Sequence, residues 1–173
     1  MFAAFKKRAI QKHIRRNIAN RDVSRRNEPL RKLGFLVDQD LLNDDQLLFE
    51  WGPEFGIHEK DIRVLCYLET KDKKPTLRQN QVYHKNFNWK GEVHNGEAEQ
   101  FLAEPFDVLV GLYNGPNAYM DLMVSASKAH FKVGLKGGKD ELCDLILGAS
   151  GTRLDQIKKE LKKYLRVLNK IQT

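Results

Sequence analysis

Eleven of the first 32 residues are lysine or arginine: Lys6, Lys7, Arg8, Lys12, Arg15, Arg16, Arg21, Arg25, Arg26, Arg31 and Lys32. Only Asp22 and Glu28 oppose them, so the segment carries +9. The remaining 141 residues hold 19 basic and 21 acidic groups and carry −2. The excess of +7 therefore belongs to one segment rather than to the whole surface. Clustered guanidinium and ammonium groups attract polyanions, because each neutralised phosphate releases a condensed counterion. Lys6, Lys7, Arg8, Lys12, Arg15 and Arg16 are the first candidates for phosphate contact, and Arg21, Arg25 and Arg26 would extend the track. Such contacts position a partner without reading base order, so they imply no sequence-specific DNA recognition.

Other residue types offer chemistry more thinly. Gly148-Ala149-Ser150-Gly151-Thr152 is a small-residue loop ahead of a helix, where backbone N–H groups could meet an anion and Ser150 or Thr152 could add a hydroxyl. The simpler reading is a turn with Ser150 or Thr152 capping the helix. The loop lacks the lysine and the spacing of a P-loop, and Gly134–Lys139 fails the same test because Asp140 follows Lys139. Asp38 and Asp40 could hold a magnesium ion only if both faced one pocket, and alternate residues of a strand face opposite ways. The five histidines lie at 13, 58, 84, 94 and 130, without metal-ligand spacing. No nucleophile elbow and no G-x-G-x-x-G is present. The sequence thus implies neither a metal nor a cofactor and leans away from an enzyme. Cys66 and Cys143 sit in apolar runs and read as core thiols rather than a disulfide.

Periodicity supplies the elements that must position these groups. Ile10, Ile14 and Ile18 recur every four residues, while Arg8, Lys12, Arg15 and Arg16 fall on the opposite side at 100° per residue. That predicts a basic amphipathic helix ending near Asn20. Its isoleucine stripe could pack on the body, leaving the charges solvated. Alternatively, the charges could meet RNA, or the helix could lie on an anionic membrane with Phe2 and Phe5 entering the interface. From Leu33 the pattern changes. Strands are expected at Leu33–Val37, Ile62–Leu68, Asp107–Tyr113, Phe131–Leu135 and Cys143–Leu147, with a short extra one at Val82–Phe87. Helices are expected at Asp44–Phe55, broken at Gly52-Pro53, and at Glu97–Ala103, Pro116–Ala129 and roughly Thr152–Ile171. Asn114 is the expected cap of the third of these.

Alternating strands and helices predict an α/β fold. The expectation is a three-layer Rossmann-like or flavodoxin-like sandwich on a mostly parallel sheet of about five strands. The seven residues Lys136–Leu142 look too short for a parallel crossover, which predicts an antiparallel pair at the sheet edge. Residues 1–32 form a basic helical arm and 33–173 a single domain. Ligands of open α/β sheets bind beyond the strands' C-terminal ends. That rule nominates Asp38, Asp40, Asn114, Asn117, Ser150 and Thr152 as a pocket. Neither a secretory signal nor an 18-residue apolar stretch occurs, so a cytoplasmic protein, with peripheral membrane contact as an option, is expected.

Trp89-Lys90-Gly91, Phe106-Asp107-Val108-Leu109-Val110, Ser127-Lys128-Ala129-His130-Phe131-Lys132-Val133-Gly134 and Cys143-Asp144-Leu145-Ile146 together resemble a family of small uncharacterised α/β proteins from Bacteroidota. The resemblance covers about residues 30–170. It implies a bacterial, cytoplasmic protein and carries over no catalytic residue. It also suggests a role for Trp89, though a tryptophan there more often plugs the core. The leading expectation is a non-catalytic binding protein that docks on RNA or a ribonucleoprotein such as the ribosome. A membrane-associated module and a nucleotide- or phosphate-using enzyme are the alternatives.

Overall fold

The computed structural model describes residues 2–149 and 153–172. Six parallel strands form one sheet in the order β3-β2-β1-β4-β5-β6. They are β1 (Leu33–Asp38), β2 (Ile62–Tyr67), β3 (Gln81–Val82), β4 (Val108–Leu112), β5 (Lys132–Leu135) and β6 (Leu145–Leu147). This is the doubly wound Rossmann order, with its switch point between β1 and β4. The strands are near-continuous apolar runs because both faces are covered. Phe35, Val37, Val64, Cys66, Val108, Val110 and Leu112 point to one core, and Leu36, Leu65, Tyr67 and Leu109 to the other.

The first core is closed by α2 (Gln46–Phe49), α3 (Gly52–Phe55) and α6 (Leu154–Val167). Gly52-Pro53 splits what would be one helix into two single turns, as the missing proline N–H requires. Trp51, between the two turns, packs edge-on against Phe35 with ring centroids 5.4 Å apart. Ile157, Leu161 and Leu165 carry the buried stripe of α6. The second core is closed by α4 (Gly96–Ala103), α5 (Ala118–Ala126) and α1 (Phe2–Ala19). The basic helix ends where expected, and its isoleucine stripe is not free: Ile10 is 1% exposed and Ile14 3%. It lies along α5, with Asn17 Nδ2 donating to Ser125 Oγ at 3.1 Å. Six consecutive residues of α5, Met120–Ser125, are buried, since the sheet covers one side and α1 another.

Several expectations are corrected. The edge pair is parallel, not antiparallel, with Val133 opposite Leu145 and Leu135 opposite Leu147. β5 and β6 have four and three residues, so the chain must retrace only about 10 Å at ~3.3 Å per residue. Residues 136–144 span that distance without a helix, turning at Gly137 with φ of 93°. Asp144 closes the return: its backbone N–H donates to Lys132 O, and its carboxylate accepts from Lys132 N, both at 2.8 Å. The extra strand is only Gln81–Val82, followed by a 3-10 turn at His84–Asn86. The helix expected at Pro116 begins at Ala118, and Asn117 rather than Asn114 caps it, accepting from Met120 N at 3.2 Å. Cys66 and Cys143 are free thiols. Among the described residues, no helix is long and apolar enough to cross a membrane.

Candidate functional site

Burial of the isoleucine stripe turns the opposite face of α1 outward. Lys7, Arg8, Lys12, Arg15 and Arg16 are exposed and, among the described residues, make no ion pair. The other candidate cations are committed. Lys6 donates to His84 O at 3.2 Å and sits 5.3 Å from the Tyr119 ring centroid; partial burial lowers its pKa. Arg21 clasps Asp144 with both terminal nitrogens, at 3.0 and 2.6 Å. Arg26 Nε lies 3.2 Å from the same carboxylate, and Arg25 binds both oxygens of Glu28 at 2.8 and 2.9 Å. The run of exposed cations without an ion pair among the described residues therefore ends at Arg16, whereas Arg21, Arg25 and Arg26 are each paired with a carboxylate. The basic face of α6 is similarly engaged in part, with Lys158 and Lys162 facing Glu54.

Two clefts flank the exposed side of α1. The first, of about 660 Å³, lies between the helix and the β4–α5 loop and is lined by Lys7, Arg8, Gln11, Lys12, Arg15, Pro116, Ala118, Asp121 and Lys139. Lys139 reaches into it from the β5–β6 connection, 3.2 Å from Gln11 Oε1 and 3.8 Å from Asp121 Oδ2. Asp121 is 2% exposed and accepts from Tyr113 Oη at 2.6 Å. Burial raises the pKa of this carboxyl, while the tyrosine and Lys139 act against the rise. The opening therefore carries several cations and one deeply set, hydrogen-bonded carboxyl.

The second cleft, of about 620 Å³, is lined by Phe5, Lys6, Arg8, Ala9, Lys12 and Trp89. Trp89 does not plug the core: it is 70% exposed, and Phe5 is 64% exposed. The loop that carries Trp89 is firmly built. Asn88 Oδ1 accepts from the backbone of both Lys90 and Glu92 at 2.9 Å, and Gly91 turns at φ of 79°. A side chain at Gly91 would come within 2.8 Å of the His13 ring on α1, so the loop abuts the helix. Arg8 and Lys12 line both clefts and form the ridge between them.

The described residues nominated by the strand-end rule, Asp38, Asp40, Asn114 and Asn117, line neither of these clefts. Asp38 Oδ1 accepts from Asp40 N at 3.0 Å in a local turn, and partial burial raises the Asp38 pKa. Asp40 and Asn114 are exposed, and Asn117 is spent on its helix cap. At the switch point Tyr119 stacks on buried Tyr67, with ring centroids 5.8 Å apart, and Phe87 packs 5.1 Å from Tyr119. Ser150 and Thr152 lie outside the described residues.

Residues 6–168, which include the first cleft, all of the second but Phe5, and the whole sheet, match a family of unknown function (DUF6913). The chain belongs to this family. No curated protein and no solved structure matches it. The DUF6913 match begins at Lys6, inside α1, so most of the basic helix falls within the matched region. Periodicity alone identified the exposed cations. The aromatic cleft as a unit is not legible, because residues 69–95 give no periodic signal: Trp89 enters only through the family resemblance and Phe5 only through the membrane alternative.

Proposed function

We propose that this protein is a non-catalytic RNA-binding module that docks on single-stranded RNA, or on exposed single strands of a ribonucleoprotein such as the ribosome, through the outer face of α1. One observation carries the reading: the Arg8–Lys12 ridge separates a cationic groove from an aromatic cleft. Single-strand binders combine these two surfaces, a groove that tracks phosphates and aromatic faces on which bases stack. Arg8, Lys12, Arg15 and Lys7 would face the backbone, and Trp89 with Phe5 would take a base.

Binding of a labelled single-stranded RNA to the full chain, measured across salt concentrations, tests the reading. Four engaged cations give a slope of log K against log salt of about −2.8, at ~0.7 per phosphate. Arg8→Glu with Lys12→Glu flattens the slope, because these side chains point outward and leave the fold intact. Trp89→Ala weakens binding by roughly 5- to 150-fold with an unchanged slope, the size of one lost stacked base. An RNA affinity that ignores both substitutions would sink the idea.

A second reading draws on the same cleft. Two exposed aromatics rimmed by lysine and arginine also suit an anionic lipid interface. Vesicles rich in phosphatidylserine decide between the two: flotation of the protein with vesicles, together with no RNA binding at low salt, selects the membrane.

A further inference from the structure

At the opposite pole of the sheet, the chain brings together Glu28, Asp107 and His130, three residues that no sequence spacing connects. Glu28 lies on the segment leading into β1, Asp107 immediately precedes β4, and His130 stands two residues before β5. One ligand atom from each lies within 4.8 Å of the others. His130 is only 9% exposed, and its Nδ1 is buried without a hydrogen-bond partner. That nitrogen faces Asp107 Oδ1 at 3.5 Å and Glu28 Oε2 at 3.7 Å, too far for a hydrogen bond to either. A buried polar nitrogen left unpaired beside two carboxylates calls for a partner.

We propose that Glu28, Asp107 and His130 bind one Zn²⁺ ion, which ties the segment after α1 to the base of the sheet. Metal–nitrogen and metal–oxygen bonds of about 2.0–2.2 Å at a tetrahedral angle put neighbouring ligand atoms roughly 3.4 Å apart. The two distances from Nδ1 are close to that value. An octahedral magnesium site would need them near 3 Å, and a lone imidazole nitrogen suits zinc better than magnesium. The third edge, between the carboxylates, is where like charges hold the oxygens apart, and a divalent cation would draw them together. The supporting bonds suit the role. Asp107 Oδ2 accepts from the backbone N–H of Arg31 and Lys32 at 2.9 and 2.8 Å, fixing the carboxylate so that Oδ1 faces the histidine. Two carboxylates and a neutral imidazole balance the +2 charge, and water completes the fourth position. Arg25 is the competitor, since it holds both Glu28 oxygens. It is exposed and can swing away. This site is independent of the RNA face and stands if that reading fails.

The test uses the full chain, free of any affinity tag, stripped of metal and titrated with Zn²⁺ alone by calorimetry and thermal unfolding. The expected result is one ion per chain with a rise in Tm, because an ion that binds only the native state stabilises it. Co²⁺ in its place should give the visible absorption of a tetrahedral site. His130→Gln and Asp107→Asn should each weaken Zn²⁺ binding by more than about 100-fold. Arg25→Gln removes the competitor without touching a ligand, so it keeps the proposal testable if the other variants misfold. It should tighten binding by about two- to fivefold, the equilibrium equivalent of one exposed ion pair. No heat and no Tm shift in the wild-type chain would overturn the proposal, as would Zn²⁺ binding that is unchanged in His130→Gln and in Arg25→Gln.

Discussion

Lys132 shows how a single residue can be expensive and still fit. Its side chain is 1% exposed on β5, and its ammonium nitrogen donates to Val124 O and Ser125 O at the end of α5. A cation there complements the helix dipole and satisfies orphan carbonyls. Burial, reinforced by nearby Arg21, lowers its pKa to about 7, while Asp144 and Cys143 act the other way. The unfolded chain keeps an ordinary lysine near 10.5, so between pH 7 and 10.5 it binds a proton that the native state gives up. The contribution of this one group to stability therefore rises with pH across that window and is lost as pH falls through it, with the raised thiols of Cys66 and Cys143 opposing it above about pH 9. Urea denaturation at pH 7 and pH 9.5 should show a gain of up to a few kcal/mol in the wild-type chain. In Lys132→Met the gain should shrink, and an identical slope in the two proteins would refute this account. Nothing in the sequence marked Lys132, because a lysine in an apolar run reads as a solvent-facing strand position. The same blindness hid His130 and Asp107, whose partner Glu28 lies far away in sequence. Trp89 is the reverse case: its type suggested the core, whereas its polar surroundings spoke for the surface.

At the scale of elements, α1 was the most legible and the most consequential. Its four-residue isoleucine repeat set both its extent and its buried side. The repeat could not say what the stripe would meet. The missing clue was in α5, whose residues are apolar on nearly every side and so require a cover beyond the sheet. Taken together, the two helices predict each other. Ile14→Ala should therefore cost about 2–5 kcal/mol, as for any fully packed aliphatic side chain. Arg15→Ala, one position away on the exposed face, should stay within ~0.5 kcal/mol. Equal losses from the two in thermal or urea denaturation would mean that α1 is not packed as described. β5 and β6 taught the opposite lesson. Link length was weighed without strand length, and strands this short need no helix to return.

For the whole molecule, the consequence is that charge and structure are distributed differently. The excess charge belongs to residues 1–32, but the packing does not separate them from the rest. Leu30 N bonds Lys170 O at 2.9 Å, and Lys170 donates to Glu28 O at 3.1 Å, so the segment after α1 is stitched to the end of the chain. Deleting residues 1–20 should not yield a neutral, well-behaved domain. It should uncover α5 and lower Tm by several degrees or more, with aggregation on heating. A truncated chain with unchanged Tm would show that the body stands alone. Loss of RNA binding on truncation would accordingly carry little weight, and charge reversal at Arg8 and Lys12 is the sounder experiment.

The partners of α1 also set an order of events in synthesis. Asn17 and Arg21 close their bonds with Ser125 and Asp144, residues 108 and 123 positions further along. A ribosome adding 5–20 residues per second needs on the order of ten seconds to make that stretch. Throughout that interval Ile10 and Ile14 lack the α5 surface that covers them, and an amphipathic helix draws most of its stability from such packing. The segment made early is thus docked late. The nascent chain carries an unsatisfied apolar stripe beside a dense positive charge until α5 has emerged.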